Sequence, residues 1–145
     1  MRVLGIDYGD SRIGIAVSDP NRIIAGALCI IDGTQGRKKA AAGVAELICT
    51  HEADTIVIGY PVHMNGMKGV RTAATEKFAK ALQEACGAVL SRPIEIILWD
   101  ERLTTAAADR AMLEMHAPQK KKGMNDMIAA VLILQCYLDS KRDRA

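Results

Sequence analysis

The sequence predicts one α/β domain whose core is a mixed five-stranded sheet flanked by helices. Three short runs rich in β-branched residues follow one another near the start, separated by turn residues, which is typical of an antiparallel meander. Beyond them, helical and strand-like segments alternate, which is typical of parallel strands joined by helices. The chain has 145 residues, half of them hydrophobic, which suffices for one buried core and not for two. We therefore treat residues 1–145 as a single domain.

The first three strands are predicted from turn residues between apolar runs. Val3–Ile6 and Ile13–Val17 are separated by Gly9-Asp10-Ser11, and a third strand, Ile23–Ile31, follows the turn at Asp19-Pro20-Asn21. Strands joined by such short turns pair in antiparallel fashion. This segment therefore supplies the meander.

The spacing of apolar residues changes after the third strand. Ala41, Val44, Ala45, Leu47 and Ile48 lie on one face of a helix that ends near His51. The next predicted elements are the strand Thr55–Ile58, the loop Tyr60–Gly69, the helix Val70–Cys86, the strand Ile94–Trp99, the helix Thr104–Met115, the loop His116–Gly123 and a last helix, Met127–Leu138, capped by Asn125. Right-handed crossovers make the fourth and fifth strands parallel to the first, which is a ribonuclease H type of topology.

Carboxylates end two of these strands and begin the last helix. Asp7 follows the first strand, Asp100 and Glu101 follow the fifth, and Asp126 stands beside Asn125. An ionised acid at the end of a buried strand is costly without a partner, so it usually faces a site. The carboxyl ends of parallel strands meet at one edge of a sheet, where ligands bind. Side chains alternate along a strand, so one of the central pair faces that site, and we favour Glu101 with Asp100 nearly equal.

Each of these residues also has a simpler structural interpretation. Asp7 lies between Gly5 and Gly9 and could cap a turn, and Asp126 could merely begin a helix. Arg12 could bind a phosphate or pair with a neighbouring acid. The candidate nucleic-acid contacts are Arg12, Arg102, Lys120, Lys121 and Lys122, the last three in a predicted flexible basic loop. His63, in an earlier loop, could position a water but is more typical of an exposed residue.

Composition limits the classes of function. The net charge of +2 is too small to identify a nucleic-acid binder, and one Phe, one Trp and three Tyr are too few for a base-stacking platform. The apolar runs are shorter than the ~20 residues of a membrane span, and the start lacks the order of a signal peptide. Four widely spaced cysteines indicate reduced thiols. We therefore expect a soluble cytoplasmic protein.

Five segments of the sequence together resemble the YqgF family, also called RuvX. They are GIDYG, RIGIAVSD, IGYPVHMNG, WDERLTTAAA and NDMIAAVLILQCYLD, and they span nearly the whole chain in the family's order. Members resemble ribonuclease H-like Holliday junction resolvases and are described as nucleases that process the 5′ end of pre-16S ribosomal RNA in the bacterial cytoplasm. The resemblance implies catalytic acids at Asp7, at Asp100 or Glu101, and at Asp126.

The resulting hypothesis is a metal-dependent endonuclease. Hydrolysis of a phosphodiester requires neutralisation of developing charge and activation of water, and Mg²⁺ or Mn²⁺ on carboxylate oxygens does both. In this hypothesis Asp7 bridges two ions, Glu101 and Asp126 complete the ligand set, and Arg12 with the basic loop holds the nucleic-acid backbone. The implied substrate is a structured RNA, pre-16S rRNA by resemblance.

Three other functions remain open from the sequence. A four-way DNA junction would need the same chemistry and, for paired cuts, a homodimer rather than a monomer. The GIDYG segment also resembles the first phosphate loop of actin-like ATPases and sugar kinases, but those proteins need a second, similar domain. A non-catalytic factor in transcription or ribosome assembly is the third, and intact acids argue against it.

Overall fold

The computed structural model describes residues 1–9, 11–60, 69–100 and 122–143 and forms one five-stranded mixed sheet from them. Its strands are β1 (Arg2–Asp7), β2 (Arg12–Ser18), β3 (Ala25–Asp32), β4 (Ala53–Tyr60) and β5 (Glu95–Asp100), in the order β3-β2-β1-β4-β5. The helices in the described part of the chain are α1 (Arg37–Thr50), α2 (Val70–Val89) and α3 (Lys122–Asp143). The predicted α/β architecture is confirmed.

The pairing directions place three strand ends at one edge. β1 is central, antiparallel to β2 and parallel to β4, and β4 is parallel to β5. β3 pairs antiparallel with β2 and completes the meander. The last residues of the three parallel strands, Asp7, Tyr60 and Asp100, therefore lie at the same edge of the sheet.

Helices cover both faces of the sheet. Leu4, Ile6 and Ile58 point to one face, where they pack with Val44 of α1 and Phe78 of α2. The other face carries a second cluster, in which Val3, Ala16 and Val57 pack with Ala130, Ile133 and Leu134 of α3. Because side chains alternate along each strand, membership of these two clusters tells which face every strand residue occupies.

The strand ends differ from the sequence prediction by one or two residues, and two of the differences have a clear physical reason. β4 extends to Tyr60, which was expected to begin a loop, because its ladder with β5 continues to the pair Tyr60 and Asp100. β3 begins at Ala25, since the carboxylate of Asp19 accepts the backbone N–H groups of Ile23 and Ile24 at 2.7 and 2.9 Å and holds them in the turn. The bond from Ile24 is the main cause of the lowered pKa of Asp19.

Helix boundaries differ as well. α2 continues past Cys86 to Val89, and α3 begins at Lys122, so the predictions of a loop through Gly123 and of an Asn125 cap are wrong. Gly123 has low intrinsic helix propensity, but it is the second residue of a helix that packs across β1, β2 and β3. The predicted helix Thr104–Met115 and most of the loop at 60–69 lie outside the described residues.

The four cysteines are present as thiols: Cys86 is buried, Cys29 and Cys136 are partly buried, and Cys49 is exposed, so Cys49 is not the core thiol that the sequence predicts. Within the described ranges, none of the helices is long and apolar enough to cross a lipid bilayer.

Candidate active site

Asp7 is a buried acid at the end of the central strand. It is 7% exposed, and it belongs to the same strand face as Val3 and Gly5, which lie against α3. Leu4 and Ile6, the alternate residues of β1, belong to the apolar core on the opposite face. A carboxylate kept at this position is consistent with a site rather than with an exposed turn cap.

Two glycines let α3 approach this face closely. A Cβ on Gly5 would stand 2.6 Å from Cβ of Leu134, and a Cβ on Gly14 would stand 2.1 Å from the carbonyl oxygen of Asp126. Gly14 is also the register partner of Asp7 across the β1–β2 ladder, where paired Cα atoms are about 5 Å apart. The backbone of Asp126 therefore lies against the residue that pairs with Asp7, and the two acids share one face.

Asp126 is held by a cation from β2. The Nε–H of Arg12 donates to Oδ2 of Asp126 at 2.8 Å, with the two side chains 45% and 25% exposed. Arg12 lies two residues before Gly14, so it occupies the same sheet face. Of the two possibilities for Arg12, the structure shows the pair with a neighbouring acid.

Asp100 lies on the opposite face. Ile97 and Trp99 pack on the α3 side, which places Asp100 on the side of α1 and α2 by alternation. Its register partner Tyr60 supports this placement, because the Tyr60 hydroxyl donates a hydrogen bond to Glu76 of α2. Asp7 and Asp126 are thus brought together, and Asp100 is not directed to them.

The described acids offer the donor type of a divalent-cation site but not a complete ligand set. Within residues 1–9, 11–60, 69–100 and 122–143, no three His, Cys, Asp or Glu side chains form a group that could hold an ion. Asp7 and Asp126 offer carboxylate oxygens on one face, the donor type that Mg²⁺ and Mn²⁺ prefer. The donor type of these two residues fits a hard divalent cation, and a third carboxylate would complete the set.

Several predicted site residues fall outside the described part of the chain. They are Glu101, Arg102, Lys120, Lys121 and His63. Lys122 is the first residue of α3, so it belongs to a helix and not to the predicted loop.

Sequence reasoning missed a cleft beside Asp7. Tyr8 and Gly9, the next two residues, line a cavity of about 50 Å³ together with Val70, Arg71 and Ala74 of α2. The Tyr8 ring stacks on Phe78 with centroids 4.5 Å apart, which joins the end of β1 to α2. Arg71 is exposed and belongs to no recognisable motif, so only the fold shows that it lies beside the two residues that follow Asp7. A larger groove of about 570 Å³ between α1 and α2 is lined by none of the predicted site residues.

Comparison with known sequences gives one family for the chain. The family model described as "RuvX: Holliday junction resolvase" matches residues 1–140. A protein of Ruminiclostridium cellulolyticum is 49% identical over 140 residues, which cover 96% of this chain and 94% of the relative. One of Acetivibrio thermocellus is 48% identical, with 97% of each chain covered. Both carry the name "Putative pre-16S rRNA nuclease".

Comparison with solved structures gives the fold. A Thermus thermophilus RuvC in complex with a Holliday junction substrate matches with a TM-score of 0.59 at 16% identity, covering 98% of this chain and 96% of that one. A Fowlpox virus resolvase in complex with Holliday junction DNA matches with a TM-score of 0.50 at 14% identity, covering 97% and 99%. The chain therefore has the fold of RuvC-like resolvases.

Proposed function

The chain belongs to the RuvX family, and from this premise we propose that it is a metal-dependent nuclease that cleaves phosphodiester bonds of a structured RNA, the precursor of 16S rRNA. The observation that carries the proposal is the convergence of Asp7 and Asp126 on one face at the end of the central strand.

In this proposal Asp7, Asp126 and Glu101 hold the metal. Glu101 is preferred to Asp100 because Asp100 lies on the face of α1 and α2, and the next position of a strand lies on the other face. Divalent ions bound there supply a Lewis acid that stabilises negative charge on the scissile phosphate and lowers the pKa of water. The burial of Asp7 keeps its carboxylate away from bulk water and fixes its direction.

The cations of the proposed site act on the substrate backbone. Lys120, Lys121, Lys122 and Arg102 are proposed to contact phosphates, which would attract any nucleic acid without reading its sequence. Such contacts predict an affinity that falls steeply with salt.

The names of the relatives favour RNA as the substrate. Relatives 48–49% identical over nearly the full chain share one name that specifies pre-16S rRNA. A nuclease acting on newly made ribosomal RNA works where that RNA is made, so this proposal places the protein in the bacterial cytoplasm.

A second candidate substrate is a four-way DNA junction. The family description names Holliday junction resolvases, and two proteins of the same fold were solved with such junctions. The hydrolytic chemistry would be unchanged, but paired cuts would require two active sites in a homodimer.

The test is cleavage of two substrates by the same protein. Purified protein is incubated with a precursor 16S RNA fragment and with a four-way DNA junction, each with Mg²⁺, with Mn²⁺ or with EDTA. We expect RNA cleavage that EDTA abolishes, that Asp7→Asn and Asp126→Asn variants lose, and that an Asp54→Asn variant, altered at the start of β4, retains. Faster cleavage of the junction would favour the second candidate. Cleavage in EDTA, or full activity of folded Asp7→Asn, would contradict the proposal.

A further inference from the structure

Asp126 does not begin a helix, which is the structural role that the sequence suggests for it. α3 begins at Lys122, so Asp126 is the fifth residue of the helix and is not placed to cap its start. Its backbone is fixed by the close contact with Gly14, but a backbone contact does not fix a side-chain rotamer. The group that fixes the carboxylate is Arg12.

The Arg12–Asp126 pair has a defined geometry. Nε–H of Arg12 donates to Oδ2 of Asp126 at 2.8 Å, and no other bond to either side chain occurs among the described residues. Arg12 thus holds Oδ2 of Asp126, and Oδ1 is available to bind a cation. An outer partner that holds one oxygen of a metal-binding carboxylate is a common way to orient the other oxygen.

Fold stability does not account for this pair. The two side chains are 45% and 25% exposed, and partly exposed ion pairs contribute little to stability. Arg22 and Asp54 form a comparable pair at 3.4 Å, with side chains 39% and 34% exposed, near the opposite end of the sheet. The Arg22–Asp54 pair is an ordinary ion pair of the same residue types, and it lies away from Asp7 and Asp126.

We propose that Arg12 is a positioning residue, which holds Oδ2 of Asp126 through Nε so that Oδ1 is presented to the metal ion. This inference rests on the proposed metal-dependent function. It assigns to Arg12 a role that acts through Asp126. This role is separate from the phosphate contacts proposed for Lys120, Lys121 and Lys122. It also distinguishes Arg12 from a general positive charge, since only a guanidinium carries an N–H at the Nε position.

Arg12→Lys is the informative variant, because it retains the charge and removes the Nε donor. Mn²⁺ binding to the protein alone is measured by electron paramagnetic resonance, so the readout does not depend on catalysis. We expect Arg12→Lys to weaken Mn²⁺ binding by about 10-fold, the usual effect of losing an outer partner of a metal ligand. Arg22→Gln, which breaks the comparison pair, should leave Mn²⁺ affinity within about twofold of the parent.

The Asp126→Asn background tests whether Arg12 acts through Asp126. If it does, Arg12→Lys has no further effect on Mn²⁺ affinity in Asp126→Asn protein, because the residue being positioned no longer carries the ligand charge. Equal affinity of parent and Arg12→Lys would overturn the inference, and so would an additive loss in the double variant. A parent that binds no Mn²⁺ at all would overturn the metal-site proposal itself, a result readily told apart from the other two. Thermal unfolding of each variant confirms that it is folded.

Discussion

Gly14 and Asp126 are in direct backbone contact, and this contact joins β2 to the helix that carries a candidate ligand. A Cβ added to Gly14 would stand 2.1 Å from the carbonyl oxygen of Asp126 and 2.5 Å from its carbonyl carbon. The obstructing atoms are main-chain atoms of a helix, so they cannot rotate aside as a flexible side chain can. The position of Asp126 relative to Asp7 therefore depends on the absence of a side chain at residue 14.

We expect Gly14→Ala to destabilise the protein and to displace Asp126. Forcing a methyl group into a tightly packed contact costs about 1–3 kcal/mol, and here the helix must move to relieve it. Urea unfolding followed by circular dichroism measures the loss of stability, and Mn²⁺ binding measures the displacement of the ligand.

Gly87 provides the matched control for that substitution. It lies within α2, and a Cβ there would meet no atom within 4 Å. Since alanine is the better helix former, Gly87→Ala should stabilise the protein by about 0.5–1 kcal/mol and leave Mn²⁺ binding unchanged. Equal unfolding midpoints for the two variants would show that Gly14 is not constrained by α3.

The face of β5 that Asp100 occupies predicts different roles for Asp100 and for Glu101, the next residue in the sequence. Asp100 lies on the side of α1 and α2, so Asp100→Asn should lower the cleavage rate by less than about 10-fold. Glu101→Gln should lower it by about 100-fold or more, beyond the loss caused by an outer partner alone. Single-turnover cleavage of precursor RNA at saturating Mg²⁺ measures both rates. The reverse order of the two effects would assign the third ligand to Asp100.

The sequence alone predicts those parts of the site that interrupt a local pattern of residues. Asp7 interrupts an apolar run at the end of a strand, and the order of elements then gives the edge at which it lies. The start of α3 is not predictable in the same way, because the low helix propensity of Gly123 locally favours a loop. The Arg12–Asp126 pair joins residues 114 apart, and it depends on strand register and helix position, which no local spacing encodes.

Arg71 is expected to contribute to substrate binding and not to the chemical step. It lines the cleft next to Tyr8 and Gly9, directly beyond Asp7, and it is exposed. Arg71→Gln should raise KM for precursor RNA by about 3–10-fold at unchanged kcat, and it should reduce the salt dependence of binding by about one phosphate contact. Lys77→Gln, an exposed residue of α2 that does not line the cleft, is the charge-matched control. Identical KM values for both variants would remove Arg71 from the binding surface.

Cys86 is expected to make stability depend on pH under alkaline conditions. Burial raises the pKa of its thiol to about 11, against a smaller opposing effect of Arg92. Between pH 9 and about 11 the unfolded chain therefore loses the thiol proton while the folded protein retains it, so the free energy of unfolding falls as pH rises through this interval. Urea titrations at a series of pH values should give a shallower decline for Cys86→Ala than for the parent. Cys49→Ala, which removes an exposed thiol, should follow the parent, and a parent-like slope for Cys86→Ala would show that the buried thiol does not contribute to the alkaline decline.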